Sequence, residues 1–215
     1  MRERHPLASF KLTPLMKKRL TRRAEEMIES SLPHFPELNG KIITVGYTRK
    51  HLGSATVAYR KGVVLRLVIR LKVRQLTYQT IGHELTHLIQ GLAHAERSRA
   101  RSADRAKIPS GEKPCDIWTL ARHELFCDDA PTYLRLPRAM RESWPDYAAA
   151  VRALCMTAID KRMSYRRYIH WLEAEIRNLA KAPLRENPIH QQLDLFLPNP
   201  SVAPLLAGRS LAPRP

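Results

Sequence analysis

Two histidines and one glutamate lie within five consecutive residues, in the order His83-Glu84-Leu85-Thr86-His87. On a helix, a spacing of four residues places both imidazoles on one face, one turn apart, where they can bind a single metal ion. Two imidazoles together with a carboxylate suit zinc, so we predict a Zn²⁺ cofactor. Glu84 is rotated around the helix, where it can take a proton from water and return it to a leaving amine as the catalytic base.

The residues around this motif favour a functional interpretation. Between Thr80 and Ile89, Glu84 is the only charged residue. A helix with this composition must be buried, and a buried glutamate between two histidines is costly unless it has a task. The alternative, a chance match on a surface helix, does not explain the apolar flanks.

The third metal ligand is chosen among three acidic residues. Glu112 and Asp116 form a pair that starts 25 residues after His87. In one division of labour, Glu112 binds the metal and Asp116 orients a ligating histidine. Pro114 places Glu112 before the regular helix, so Asp116 itself is the second candidate. Glu124, which precedes another aspartate at the same spacing, is the third.

Apolar periodicity divides the chain into helices and strands. We predict strands at 41–48, 55–60 and 63–73, and helices at 13–31, 75–93, from about 114, 146–161 and 164–181. Thr13 is the expected N-cap of the first helix. The fold class is therefore α+β, with a small antiparallel-type sheet packed with helices. Cationic residues alternate with apolar ones in the last strand, which predicts one buried face and one basic face.

The net charge of +17 is unusually high for 215 residues. Residues 1–182 carry 34 Lys and Arg against 18 Asp and Glu. A domain this basic attracts polyanions, so DNA is an expected partner, although a merely soluble surface is the alternative. The candidate contacts are the cations in 66–74 and 97–107, followed by those in 17–23. Three widely spaced cysteines, no signal peptide and no membrane-length apolar run predict a cytoplasmic protein without a membrane partner, with association with the nucleoid as the alternative.

The composition changes near the C-terminus. Seven prolines punctuate residues 183–215, which show neither helix nor strand periodicity. We therefore divide the chain into a folded domain at 1–182 and a disordered tail at 183–215. The tail contains one apolar island, Gln192-Leu193-Asp194-Leu195-Phe196.

Residues 13–130 resemble the SprT-like, or Spartan-like, zinc metalloproteases in the order of their elements and in the run 80–89 that follows a strand. The resemblance implies a minimal gluzincin with a zincin-like helix, in which His83 and His87 bind zinc and Glu84 is catalytic. It also implies cleavage of proteins, including proteins crosslinked to DNA, with the substrate lying along an edge strand, expected at 63–73. Two features depart from the family: no third histidine ligand is assignable, and the zinc ribbon of some members is absent.

The tail motif is similar to the bacterial sliding-clamp-binding motif at all five positions, Gln192 to Phe196. Together these resemblances predict a zinc-dependent endopeptidase that acts on DNA-associated or DNA-crosslinked proteins and is linked to the replication clamp. One alternative is an ImmA-like protease that cleaves a repressor or antitoxin, which a Glu124 ligand would favour. Another is a non-catalytic DNA- or clamp-binding module with a relic metal site, against which the intact Glu84 argues.

Overall fold

The computed structural model describes residues 8–61, 63–97 and 107–181. Within these residues the protein is α+β, as predicted, with seven α-helices and one four-stranded sheet. The strands are β1 (Ser9–Leu12), β2 (Ile42–Tyr47), β3 (Gly53–Arg60) and β4 (Val63–Leu71). The helices are α1 (Pro14–Lys17), α2 (Arg22–Ser31), α3 (Tyr78–Arg97), α4 (Glu112–Arg122), α5 (Arg138–Glu142), α6 (Trp144–Lys161) and α7 (Tyr168–Lys181).

The sheet is mixed, so the prediction of an antiparallel-type sheet was wrong for most of it. The strand order is β1-β2-β4-β3, with β1, β2 and β4 parallel and only β3 and β4 antiparallel. The connection from β1 to β2 contains α1 and α2, and a crossover of this length returns the chain in the same direction. In contrast, β3 and β4 are joined by a tight turn in which Lys61 has a φ of +51°, which makes them a hairpin.

The edge of the sheet is also different from the one expected. The strand expected there, at 63–73, is β4, and β4 pairs with β2 on one side and with β3 on the other. Its residues Leu67, Ile69 and Leu71 are buried, and a strand this apolar is most stable in a central position. The edge strands within the described residues are therefore β1 and β3, and β3 is the one that packs against α3.

The predicted helix at 13–31 is two helices preceded by a strand, β1, that was not predicted. Thr13 caps α1 as expected, because its hydroxyl accepts a hydrogen bond from the N–H of Met16 at 3.3 Å. Thr21 repeats this arrangement, accepting from the N–H of Ala24 at 3.2 Å. A second N-cap within the predicted segment starts a new helix there.

Helix α3 lies between the sheet and the other helices. It packs against β3 and β4 on one side and against α4 on the other. Three of its apolar side chains are fully buried: Ile81, Leu85 and Leu88. Its start is fixed from a distance, because the Asp128 carboxylate accepts hydrogen bonds from the N–H groups of Tyr78 and Gln79 at 2.7 and 2.8 Å. The sequence segment that carries the motif is therefore capped and buried by segments far away in the chain.

Helix α4 begins at Glu112, two residues earlier than predicted. Pro114 is the third residue of this helix, where its missing N–H has no intrahelical partner to lose, so it does not delay the helix. The helices α4, α6 and α7 pack against one another, and none of the described helices is long and apolar enough to cross a membrane. The predicted tail at 183–215 lies outside the described residues.

Close packing on α3 gives a test of the fold. A methyl group at Gly82 would lie 2.7 Å from side-chain carbons of Phe126 and Thr119. We expect Gly82→Ala to lower the free energy of unfolding. Overpacking destabilises the folded state by about 1–3 kcal/mol, whereas the higher helix propensity of alanine stabilises it by only up to about 1 kcal/mol. Urea denaturation measures the difference.

Thr119→Ser provides the matched comparison. It removes the methyl group that the new side chain would meet, while its hydroxyl can keep the 2.9 Å hydrogen bond with Thr86. Gly82→Ala should therefore cost less in the Thr119→Ser background than in the parent. Equal costs in both backgrounds would show that this contact does not limit the helix position.

Candidate metal centre

Helix α3 brings His83 and His87 together as their spacing predicts. Their Nε2 atoms lie 3.1 Å apart, and their rings meet edge to face at a centroid distance of 4.7 Å. His83 is buried, with 6% of its surface exposed, whereas His87 is partly accessible. One buried and one accessible imidazole thus border a common space at the surface of the helix.

The orientation of His83 is set by Asp116. The Asp116 carboxylate is fully buried, and its Oδ1 lies 2.8 Å from Nδ1 of His83. Its Oδ2 accepts hydrogen bonds from the N–H groups of Tyr133 and Leu134 at 2.6 and 2.8 Å. Because a carboxylate only accepts, Nδ1 of His83 carries a proton, so Nε2 is the nitrogen that is left to bind a metal. Asp116 thus lies against Nδ1 of His83, and its role in supporting a metal ligand stays a prediction.

Gln90 sets the orientation of His87 by a hydrogen bond, as Asp116 does for His83. The Gln90 Nε2 donates to the carbonyl oxygens of Pro109 and Gly111 at 2.6 and 3.1 Å. Its Oε1 is therefore the atom that faces Nδ1 of His87, at 2.8 Å. An amide oxygen accepts, so Nδ1 of His87 is protonated and its Nε2 lone pair is also free.

Glu112 adds a third electron-pair donor to the two imidazoles. Its Oε2 lies 3.0 Å from Nε2 of His83 and 2.9 Å from Nε2 of His87. The first turn of α4 holds it there, and the neighbouring Lys113 forms an ion pair with the buried Glu173 of α7. The prediction that ranked Glu112 first among the acidic candidates agrees with this placement, and its role as a ligand stays a prediction.

The closeness of these groups shifts the pKa values of His83 and Glu112. Burial opposes protonation of His83, but the hydrogen bond and charge of Asp116, together with Glu84 and Glu112, raise its pKa above the ordinary value. Burial opposes ionisation of Glu112, but the hydrogen bonds and charges of His87 and His83 lower its pKa below the ordinary value. Three electron-pair donors at this separation are stable only when they share a positive charge.

The donor set fits a zinc ion. Two imidazole nitrogens and one carboxylate oxygen are a common ligand set of catalytic zinc. Bonds of about 2.0–2.1 Å in a tetrahedral site separate neighbouring ligand atoms by roughly 3.3 Å. The three distances found here, 2.9, 3.0 and 3.1 Å, are only a few tenths of an ångström shorter.

Cys115 is a further member of this cluster. Within the described residues, ligand atoms of His83, His87 and Cys115 all lie within 4.8 Å of one another, which makes a possible metal-binding cluster. Cys115 is fully buried, and its thiol lies 3.1 Å from the carbonyl oxygen of His83. Burial, assisted by the charges of Asp116 and Glu84, raises the pKa of this thiol far above its ordinary value. A protonated thiol that donates to a backbone carbonyl is a weaker metal ligand than the Glu112 carboxylate.

Glu84 lies beside this centre, in contact with the edge strand. It is 6% exposed, and its Oε2 is buried without a hydrogen-bond partner among the described residues. Burial raises the pKa of Glu84 to about 7, with the charge of His83 opposing the shift and that of Glu112 adding to it. A Cβ atom at Gly53 would lie 2.6 Å from Cγ of Glu84. The carboxyl group therefore occupies space that only a glycine at the start of β3 leaves open.

A cleft of about 590 Å³ surrounds these groups. Strand β3 forms one wall and α3 forms another, with Glu112 and Tyr133 on the remaining side. The ring of Tyr133 stacks on His83 with a centroid distance of 5.5 Å. The cleft thus gives solvent-accessible space next to both the imidazoles and Glu84.

Several residues of the site were not predicted. Gln90 lies three residues after His87, a spacing that could have identified it as a neighbour on the same helix face. Gly53 and Tyr133 carry no such signal, because only the fold brings them to the motif. Asp128 belongs to the rival acidic pair and caps α3, and its companion Glu124 is exposed and is not among the residues that line the cleft.

Zinc titration distinguishes the acidic candidates. We expect Glu112→Ala to weaken zinc affinity by more than the roughly 10–100-fold that losing a supporting partner costs. Glu124→Ala should leave the affinity unchanged, because that side chain is exposed outside the cleft. A larger effect of Glu124→Ala than of Glu112→Ala would assign the third ligand to Glu124.

No family model, curated protein or solved structure matches this chain. The SprT-like resemblance therefore stays a prediction, and the chemistry of the site is argued from its own residues.

Proposed function

We propose that this protein is a zinc-dependent endopeptidase. The observation that carries the proposal is the convergence of the Nε2 atoms of His83 and His87 with Oε2 of Glu112, within 3.1 Å of one another. A buried carboxyl group, Glu84, lies directly beside them. Two imidazoles, one carboxylate ligand and one adjacent carboxyl group are the parts that metal-assisted hydrolysis of an amide requires.

Each residue has a separate task in this proposal. His83, His87 and Glu112 would hold the ion, while Asp116 and Gln90 keep the imidazole lone pairs directed toward it. Zinc, when bound, lowers the pKa of water and polarises a substrate carbonyl group. The metal ligands are thus positioned by partners from α3, α4 and the segment around Leu134.

Glu84 moves the proton. A group whose pKa is near 7 can both accept and return a proton at neutral pH, and burial raises the pKa of Glu84 to about 7. Its carboxylate takes a proton from the attacking water and then donates it to the nitrogen of the leaving amine. The proton count balances over the cycle, because Glu84 ends in the state in which it began.

The shape of the cleft supports an extended peptide as the substrate. Strand β3 borders the cleft and pairs with β4 on only one side within the described residues. Its other side offers backbone N–H and C=O groups to an incoming strand. An unfolded protein segment can therefore be held by strand addition, independent of most of its side chains.

The physiological substrates are proposed from the resemblance. It favours proteins bound or crosslinked to DNA, and the tail motif Gln192 to Phe196, which lies outside the described residues, favours a link to the sliding clamp. The ImmA-like alternative is less favoured because Glu124, the ligand that would favour it, is exposed and does not line the cleft. The non-catalytic alternative does not account for a glutamate buried next to the metal ligands, since an inactive site has no use for a desolvated base.

Glu84→Gln tests the activity. Glutamine keeps the shape of the side chain but cannot carry the proton, so we expect kcat/KM on an unfolded, fluorescently labelled casein to fall about 10²–10⁴-fold. Zinc content should remain that of the parent, because both imidazoles and Glu112 are intact. Glu124→Gln is the matched control and should retain parental activity. Parental cleavage by Glu84→Gln would exclude the proposed mechanism.

Gly53→Ala, in strand β3, tests whether hydrolysis depends on the position of the Glu84 carboxyl group. The added methyl group must displace Glu84, so hydrolysis should fall toward the level of Glu84→Gln while zinc binding is retained. Thr56→Ser, on an exposed residue of the same strand that does not line the cleft, should be nearly silent. Combining Gly53→Ala with Glu84→Gln should cause no further loss, because both act on one group. Additive losses of activity would show that Gly53→Ala acts on a group other than Glu84.

A further inference from the structure

Three of the four strands of the sheet are built from a stretch of sequence without acidic residues. Residues 38–83 contain nine Lys and Arg and no Asp or Glu. The strands β2, β3 and β4 all lie within this stretch. This stretch holds nine of the 37 Lys and Arg of the protein, and no acidic residue within it neutralises them.

The strand register divides the sheet into two faces. Leu67, Ile69 and Leu71 of β4 point into the core with their paired residues on β2 and β3. The alternate residues belong to the opposite face, here called the outer face. Up to the β-bulge between Ala58 and Tyr59, its members are Ser9, Lys11, Ile42, Thr44, Gly46, Ser54, Thr56, Ala58, Arg66, Val68 and Arg70.

Three cations of the outer face are exposed: Lys11, Arg66 and Arg70. Within the described residues, no carboxylate forms an ion pair with any of them. Arg66 and Arg70 are four residues apart on β4, which corresponds to about 13 Å, and Lys11 lies two strands away, about 10 Å to the side. The three charges thus span an area comparable to a short stretch of a nucleic-acid backbone.

The other exposed side chains of the outer face indicate which kind of nucleic acid this face would bind. Ser9 and Thr56 offer hydroxyl groups, Ile42 and Ala58 are apolar, and no exposed residue of the outer face is aromatic. Single-stranded nucleic acids are held largely by stacking of bases on aromatic side chains. A face with cations and hydroxyls but no aromatic residue contacts phosphates and sugars alone, which is how proteins bind a duplex without reading its sequence.

We propose that the outer face of the sheet, around Lys11, Arg66 and Arg70, binds the backbone of double-stranded nucleic acid independent of base sequence. The proposal deepens the proposed function by naming a partner, but it stands on charge and exposure and not on peptidase activity. Strand β3 has one face toward the cleft and the other in this surface. A protein attached to the bound duplex would therefore need to pass around only one β-strand, β3, to reach the cleft.

The test is the salt dependence of binding, measured with the full chain and a fluorescent DNA duplex of about 20 base pairs between 50 and 200 mM salt. Each lost phosphate contact lowers the slope of log affinity against log salt by about one. We expect Arg66→Gln combined with Arg70→Gln to lower the slope by about two and to weaken binding at least about tenfold at the lower salt concentrations. Both side chains are exposed, so the variant should keep the parental thermal stability.

The matched control is Arg166→Gln combined with Arg167→Gln, which removes the same charge from two exposed residues preceding α7. Binding by the control should stay close to that of the parent. If both double variants lose the same affinity, the loss is an effect of net charge alone and the proposal is overturned. Unchanged binding by the Arg66/Arg70 variant would also overturn it. A single strand of the same sequence bound ten times more tightly than the duplex would also overturn it. The Glu84→Gln variant should bind DNA like the parent, which separates this outcome from the fate of the peptidase proposal.

Discussion

The buried carboxylate of Asp116 is the interaction on which the rest of the site depends. It accepts hydrogen bonds from His83, from the Gln79 side chain and from two backbone N–H groups at Tyr133 and Leu134. A buried carboxylate with four donors is stable, whereas the same group without them would be strongly unfavourable. Because these donors come from α3 and from the segment that carries Tyr133, satisfying one charge joins two segments and fixes one imidazole tautomer.

Helix α3 is held between its neighbours by close approach as much as by apolar burial. Gly82 faces α4 and the turn that follows it, Gly91 faces Val57 of β3, and Gly53 of β3 faces Glu84. At each of these three positions, a single added carbon would meet a side chain at 2.7 Å or less. The histidines and Glu84 are thus carried by an element with little freedom to shift, which is the condition for a precisely positioned site.

Strand β3 combines two surfaces of opposite electrostatic character. On its cleft side it lies next to Glu84 and near Glu112, two carboxyl groups of a site that gathers negative charge around the imidazoles. On its other side it belongs to the outer face, whose exposed charges are all positive. The sheet separates these fields, so a polyanion can be attracted to one face without entering the cleft, where it would meet the carboxylates.

By itself, the sequence determined the local features. The four-residue spacing places His83 and His87 on one helix face, and the uncharged flanks of Glu84 predict its burial, because both follow from helix periodicity and the cost of burying charge. The α+β class and the N-cap at Thr13 also follow from patterns in the sequence, whereas the sequence left Glu112 as one of three acidic candidates. The tertiary structure decided everything that depends on pairing between distant segments: the mixed sheet, β3 as the edge strand at the cleft, Asp128 as the cap of α3 and Gly53 beside Glu84. Such choices depend on which strand buries more apolar surface and on which backbone donors need partners, and neither quantity is local to a stretch of sequence.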